Sequence, residues 1–469
     1  MRNKTIAYIL IFILLLSAFS LTGCGSSFDE QSSNKLEKDV YALYEEFKTV
    51  YKEADSEYVI STYLYKWAND NGFVARKLGG GNLIITKPAS VNNPAFPYSI
   101  IQCAISLSDT KQASQRAAIA LATLLNLKEN GKVGVLFTVS GSAFSGAQRL
   151  AVENLDSDYF IHLESGLKSE VNTGSASTSE YEMSLNLKTE KPTTTNAYQL
   201  SISGLSNDDS GILAGPHPNS ILLLSNFLIS CRASGLMVEL ADFQGGTDAA
   251  KYPGSASAVI MVSPNNESKL LARFASSLTS FKDKYGNDFS DAAYTLTPVT
   301  APREVISNDD TAKILSLLYT TINGVYKTSE ENGDGTTVAI ANIGLLRTES
   351  KIMKINILAR SIDESVLGEM ADSYNSMAYL SDATFRVVNQ SGGWPFGPEQ
   401  AFAQNFIKVA KDSGLNGLSI KPTFIKSECP IFYAKKKDIN MISFSVTNND
   451  SFSDAKALLF YLTGLVQTK

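Results

Sequence analysis

Short apolar strands that alternate with helical segments constrain the fold of this chain more than any other feature. Four runs, at residues 82–87, 98–107, 134–139 and 159–163, carry apolar side chains at consecutive positions, which is typical of strands buried on both faces. An alanine-rich stretch of helical length, residues 113–127, lies between the second and third runs. Because such strands must be covered by helices, the sequence predicts an α/β layer.

The middle of the chain has a different order of predicted elements. Strand, helix, strand, strand, helix and strand follow one another between residues 198 and 299, which is the ferredoxin-like order. A partial second copy follows, and after it the chain returns to the first layer. We therefore expect a core formed by residues 35–196 and 390–469. Residues 197–389 are expected to form an inserted α+β lid of two ferredoxin-like units.

The numbers of charged residues and histidines limit the function. The chain has 469 residues, with 41 lysines and arginines against 47 acidic residues. It therefore lacks the basic excess that neutralises a phosphate backbone, and we expect no nucleic-acid partner. Its two histidines are too few for a multi-histidine metal centre. His162, inside an apolar run, is expected to be a hydrogen-bonded core histidine, and His217 is expected to lie in a surface loop.

The N-terminus has the pattern of a secretory signal. Arg2 and Lys4 precede an apolar run at residues 6–16, which is short for a membrane span of about 20 residues. The Leu-Thr-Gly-Cys sequence that ends at Cys24 resembles a bacterial lipobox. That resemblance implies cleavage before Cys24 and attachment of a lipid to its sulfur.

We therefore expect residues 1–23 to be a lipoprotein signal peptide and the polar residues 24–34 to be a flexible tether. The mature chain would be an extracytoplasmic lipoprotein of a bacterium, held to the membrane by the lipid on Cys24. A plain signal peptide with an incidental cysteine is the alternative.

Several short segments form an ordered series along the chain. They are Gly81-Asn82-Leu83-Ile84-Ile85-Thr86-Lys87-Pro88-Ala89, the run at 98–107, Val135-Leu136-Phe137-Thr138-Val139, Phe160-Ile161-His162-Leu163-Glu164-Ser165, Gly204-Leu205 with Ser210-Gly211, Gly393-Trp394-Pro395 and Glu428-Cys429-Pro430-Ile431-Phe432. In this order they resemble motifs of the co-catalytic zinc exopeptidases, in the branch of the aminoacyl-histidine (Xaa-His) dipeptidases. The likeness covers about residues 36 to 469. It implies a three-layer α/β/α core interrupted by a ferredoxin-like lid, and hydrolysis of dipeptides with two divalent metal ions such as zinc.

In register with that resemblance, the expected metal ligands are replaced. The first histidine ligand falls on Ala104, the aspartate two residues later on Ser106, and the bridging aspartate on about Ser114. The glutamate pair, which includes the general base, falls within the segment from Ser140 to Ser142. Methyl and hydroxymethyl groups do not replace imidazole or carboxylate as metal ligands.

Expected ligands are also replaced at most of the remaining positions of the resemblance. The lid histidine falls on Asp209, and residues 448–450 lack the late histidine ligand. Only Glu164 and Glu428 keep carboxylates. Two scattered carboxylates are too few for a zinc pair, whose ions take three or four ligands each.

Two lid residues match positions that contact substrate in the family. Arg360 resembles the lid arginine that contacts a substrate carboxylate in the family, and Asn342 resembles the asparagine of the family's Ser-x-Asn-Leu-Gly motif. A guanidinium fork matches a carboxylate geometrically. A strand-end arginine in a surface ion pair is the alternative for Arg360.

These observations favour a membrane-anchored pseudoenzyme with a peptidase-like fold and no cofactor. It would bind a peptide, an amino-acid derivative or a protein partner through a cleft that includes Glu164, Asn342, Arg360 and Glu428. One alternative is an active hydrolase with a rebuilt site that uses a divalent metal such as zinc. Another is a structural or interaction lipoprotein with a vestigial cleft. The resemblance also leaves a homodimer open.

Overall fold

The computed structural model describes residues 30–90, 95–166, 168–213, 216–329, 335–447 and 450–467. Cys24 and the predicted signal peptide lie outside these ranges. No helix among the described residues combines the length and the apolar character needed to cross a bilayer.

Eleven helices and nineteen strands are described. The helices are α1 Glu30–Glu53, α2 Glu57–Asp70, α3 Thr110–Asn126, α4 Ser145–Arg149, α5 Ser220–Ala233, α6 Glu267–Tyr285, α7 Asn308–Thr320, α8 Glu364–Leu380, α9 Ala401–Asp412, α10 Cys429–Lys435 and α11 Ser451–Gln467. The strands are β1 Val74–Lys77, β2 Leu83–Lys87, β3 Ser99–Ile105, β4 Val133–Val139, β5 Tyr159–Gly166, β6 Glu170–Ser175, β7 Ser177–Asn186, β8 Thr189–Glu190, β9 Asn196–Ser203, β10 Glu239–Gly246, β11 Ala256–Val262, β12 Ala293–Pro298, β13 Val305–Ile306, β14 Gly324–Thr328, β15 Thr337–Glu349, β16 Ile352–Ser361, β17 Thr384–Ser391, β18 Ile420–Thr423 and β19 Met441–Thr447.

The core is an eight-stranded sheet with the order β1-β2-β4-β3-β5-β19-β6-β18. Its centre, β4, β3, β5 and β19, is parallel. Helices α1, α2, α3, α9 and α11 bury one face in a single apolar cluster. The short helices α4 and α10 cover the other face. The predicted three-layer α/β/α core is therefore confirmed, and its strands are apolar on both faces because both are covered.

The lid is a nine-stranded sheet. Eight strands follow the order β12-β9-β11-β10-β15-β16-β7-β17, and the ninth, β14, pairs with β15 outside this order. One ferredoxin-like unit consists of β9, α5, β10, β11, α6 and β12, and the other of β7, α7, β15, β16, α8 and β17. Helices α5 to α8 share one apolar cluster with the lid sheet. The predicted ferredoxin-like α+β lid is therefore present in the structure.

The position of β7 differs from the expected boundary between residues 196 and 197. The strand belongs to the lid sheet, where it pairs with β16 and β17, and it supplies the first strand of the second unit. The second unit is therefore complete rather than partial. The first unit is inserted into the second one, after β7. The sequence signal is weak because β7 alternates Tyr181, Met183 and Leu185, which are buried, with polar residues instead of forming an apolar run.

We predict that Tyr181→Ala lowers the free energy of unfolding by about 3–5 kcal/mol, because it empties a fully buried aromatic site. The Tyr181 ring packs near Tyr374 and Phe385, and its hydroxyl donates to the Leu367 carbonyl at 2.8 Å. The half-buried neighbour Glu180 provides the matched control, since Glu180→Ala should cost far less. Urea unfolding measures both, and equal effects would contradict the placement of β7 in the lid.

Candidate functional site

Polar side chains gather on one face of the core sheet near the carboxyl ends of its parallel strands. Gln102 of β3 lies beside His162 of β5, and His162 lies beside Ser443 of β19. Ala104 lies beside Thr138 of β4. Ligands of open parallel sheets bind at this end of the strands, so this edge, beneath the lid, is the candidate site.

A buried hydrogen-bonded network joins three of these side chains, Gln102, Thr138 and His162, to Glu428. Gln102 Nε2 donates to Thr138 Oγ1 at 2.8 Å and to Glu428 Oε2 at 2.7 Å. Thr138 Oγ1 donates to Glu428 Oε1 at 2.6 Å. The amide oxygen of Gln102 then faces His162 Nδ1, which must carry the proton because a carbonyl only accepts. Burial, together with the Arg116 charge, lowers the pKa of His162 to about 3. The predicted hydrogen-bonded core histidine is confirmed.

Both carboxyls kept from the resemblance are buried and hard to ionise. Burial raises the pKa of Glu428 to about 7, against the opposing effect of its bonds from Thr138 and Gln102. Burial likewise raises the pKa of Glu164 to about 7, although a hydrogen bond from Ser443 Oγ at 3.2 Å favours its charged form. Each carboxyl is therefore about half protonated at neutral pH.

The positions expected to hold metal ligands are occupied by small side chains with local partners. Ala104 is half-buried at the end of β3. Ser106 Oγ hydrogen-bonds Ser108 Oγ at 2.8 Å, and Ser114 Oγ donates to the Lys111 carbonyl at 2.8 Å. The Ser140 amide donates to the Ile105 carbonyl at 2.8 Å, whereas the Ser142 side chain and residues 448–449 lie outside the described part of the chain.

A pair of divalent metals, which the resemblance implies, does not fit these residues. Zinc needs imidazole, thiolate or carboxylate donors, three or four to each ion. Within the residues that the structure describes, no three or more His, Cys, Asp and Glu side chains form a group that could hold a metal ion. Both oxygens of Glu428 already accept hydrogen bonds from Gln102 and Thr138.

The lid arginine has a partner within the chain. Arg360 is fully buried, and its Nη1 pairs with Asp209 Oδ1. The same oxygen accepts from the Gly211 amide at 2.7 Å. An added Cβ at Gly211 would lie 2.2 Å from both Arg360 Nη1 and the Phe424 carbonyl oxygen of the core, so the close approach of lid and core requires glycine there. The Asp209 charge raises the pKa of Glu164, which places this lid segment near the core carboxyl.

Asn342 also has internal partners. Its Nδ2 donates to the carbonyls of Ala249 and Lys251 at 3.0 and 2.7 Å, and it therefore fixes the loop after β10. The structure thus brings Glu164 and Glu428 to one strand end and Asp209 close to them. It gives Arg360 and Asn342 partners inside the lid, and a ligand-binding role for either residue stays a prediction.

Sequence reasoning missed Arg116. This residue of α3 is only 7% exposed, and its Nη1 donates to Ser165 Oγ at the end of β5. Its charge lowers the pKa values of Glu164 and Glu428. The sequence did contain a signal for this residue, since Arg116 is a charged residue within the apolar, alanine-rich stretch that forms α3.

We predict that Glu428 makes stability fall as pH rises from about 4.5 to 7. Its folded pKa of about 7 exceeds the ordinary value of 4.5, so the folded state holds a proton that the unfolded state releases. Between these pH values the free energy of unfolding of the natural chain should fall by about 3 kcal/mol relative to Glu428→Gln.

Urea unfolding at a series of pH values measures this difference. Substitution of the exposed Glu399 by glutamine is the control and should leave the pH profile unchanged. Parallel profiles for the natural chain and Glu428→Gln would contradict a raised pKa at Glu428.

Comparisons with known proteins bear on the fold of the chain. No family model matches the chain. The cytosol non-specific dipeptidase of Escherichia coli (strain K12) is 25% identical over 371 residues, which are 71% of this chain and 76% of that protein. The crystal structure of aminoacylhistidine dipeptidase from Vibrio alginolyticus has a TM-score of 0.66 at 21% identity and covers 94% of this chain and 99% of its own.

A tripeptidase structure from Staphylococcus aureus subsp. aureus mu50 has a TM-score of 0.53 at 13% identity, over 92% of this chain and 99% of its own. These structural likenesses confirm the predicted peptidase-like fold. Together with the sequence similarity to a dipeptidase, they support homology of this chain to the dipeptidase-like peptidases.

Proposed function

We propose that this chain is a non-catalytic homologue of the dipeptidases that binds a peptide, an amino-acid derivative or a protein partner in the cleft between core and lid. The observation that carries the proposal is the chemistry of the strand ends. In register with the resemblance, Ala104, Ser106 and Ser114 fall where metal ligands are expected, while core and lid each keep a large apolar cluster.

Hydrolysis of a peptide by the metal-dependent route needs a metal-bound water and a general base beside it. The segment from Ser140 to Ser142, where the resemblance puts that base, has no carboxylate of its own. A carboxylate from α2 contacts it instead, since Glu57 Oε2 accepts a hydrogen bond from the Gly141 amide at 2.8 Å. Glu428 is buried beneath Gln102 and Thr138, to which it is hydrogen-bonded. The groups that remain suit recognition by hydrogen bonds and charge rather than bond cleavage.

An active metal-dependent dipeptidase with a rebuilt site is the second candidate. It is favoured by the 25% identity to a curated dipeptidase, and the retained carboxyls Glu164 and Glu428 would be its first ligands. Cys429, which follows Glu428, is a poor additional ligand because burial raises the pKa of its thiol well above the ordinary value, and zinc binds the thiolate.

Metal content and turnover separate the two candidates. We expect the mature protein, purified without chelators, to hold far less than one zinc per chain by mass spectrometry and to leave a panel of dipeptides intact. Stoichiometric zinc, together with turnover that Glu164→Ala abolishes, would overturn the non-catalytic proposal. Glu399→Ala is the matched control for loss of an acidic side chain.

We also propose that a lipid on Cys24 anchors the chain to the outer side of a bacterial membrane. Stable membrane anchoring needs two hydrophobic signals or a diacyl group. The lipobox-like sequence ends at Cys24, whose sulfur would accept the lipid. We predict that Cys24→Ser moves the protein from the membrane fraction and abolishes incorporation of labelled palmitate. Unchanged labelling would disprove the anchor, and Cys103→Ser, at a buried cysteine, is the control.

A further inference from the structure

The guanidinium of Arg116 is a buried cation at the strand ends. The side chain extends from α3 to Ser165, beside the end of β3, since Cys103 and Leu163 are register neighbours two residues earlier. Ala104, Ser140 and Ser165 at the same edge are half-buried rather than sealed. A small ligand that enters the cleft therefore meets this edge.

Among the described residues, no carboxylate lies within ion-pair distance of Arg116, and Glu164 and Glu428 interact with its charge only from farther away. Across the described ranges, every ion pair joins other side chains. Its Nε is buried without a hydrogen-bond partner. Burial of a charge without a partner is costly, so the free energy gained by pairing this group with an anion is large.

The groups around Arg116 suit an oxyanion. Ser165 Oγ, which accepts from Arg116 Nη1, carries a hydroxyl proton that can be donated to a carboxylate oxygen. Serines also stand at 106, 114 and 140, where the resemblance puts acids, while Glu57 of α2 reaches the same edge at the Gly141 amide. Glu164 and Glu428 carry only part of a negative charge near neutral pH because burial raises their pKa values to about 7. The resemblance puts ligands for cations at these strand ends, and in this chain the guanidinium of Arg116 reaches the end of β5 there.

The second buried arginine of the cleft is already occupied. Arg360 pairs with Asp209, so an incoming carboxylate would have to displace an internal one. Arg116 forms no contact ion pair among the described side chains, although Glu164 and Glu428 interact with its charge from a longer distance. Any anion that enters the cleft is therefore expected to bind at Arg116 first.

We infer that Arg116 binds the carboxylate of a short peptide or amino-acid derivative at the carboxyl ends of β3 and β5. The inference rests on the proposed function and specifies its ligand class. An N–H fork on a carboxylate is a strong, charge-assisted contact, and its formation would stabilise the folded protein as ligand concentration rises.

Calorimetric titration of the full mature chain tests the inference with four probes: Ala-Ala, its C-terminal amide, N-acetyl-Ala-Ala and inorganic phosphate. We expect both free acids to bind, and the amide and phosphate to bind about 10- to 100-fold more weakly or not at all. Arg116→Gln should weaken binding of the acids by the same factor, and Arg116→Lys by less. Arg386→Gln is the matched control, since Arg386 is an exposed lid residue paired with Glu182.

Thermal unfolding of each variant checks that it is folded, and the acid and amide comparison on the natural chain tests the inference even if Arg116→Gln does not fold. Equal binding of Ala-Ala and its amide, or unchanged binding by Arg116→Gln, would overturn the role of Arg116. The proposed binding of a peptide in the cleft would still agree with that result. Preference for phosphate would overturn the carboxylate assignment. Absence of binding by every probe would overturn the inference, and zinc-dependent turnover would overturn the proposed function instead.

Discussion

The parallel pairing of β19 with β5 is the interaction on which the two-domain arrangement depends. Seven residue pairs, from Met441 with Phe160 to Thr447 with Gly166, join parts of the chain that are separated by the whole lid. This ladder places Ser443 against Glu164. The Gln102–Glu428 hydrogen bond makes a second connection across the insertion, between residues 326 positions apart. The cleft therefore exists only after the core has closed around its inserted lid.

Elements with strong periodicity could be predicted from the sequence. The apolar strands of the core and the β-α-β-β-α-β order of the lid are set by local patterns, and so is the burial of His162. The strand β7 could not be predicted in the same way, because its alternating residues become meaningful only when β16 and β17 lie on either side. The strands that pair with β7 lie far away in the sequence, and the residues of β7 alone do not indicate which strands these are.

The sequence alone locates the positions at which expected metal ligands are missing. It says less about which partners the side chains of the candidate site contact. Register with a family motif is enough to locate Ala104, Ser106 and Ser114, since it counts positions along a strand and a helix. The partners of a side chain depend on three-dimensional packing. The sequence does not show that Arg360 pairs with Asp209, which lies 151 positions earlier, or that Arg116 of α3 reaches Ser165 of β5, which lies 49 positions later. The distribution of charge in this cleft therefore follows from long-range contacts that motif register alone does not give.

The connection between the two domains has a mechanical consequence. The chain enters the lid through β7 and leaves it through β17, and these strands are paired neighbours. Just outside them, Ser175 and Trp394 exchange two backbone hydrogen bonds, of 2.8 and 3.0 Å. The lid is thus attached by a single double-stranded hinge. A rotation of the lid about these two strands would separate Gly211 from Phe424 and widen the cleft, and it would break no hydrogen bond inside either sheet.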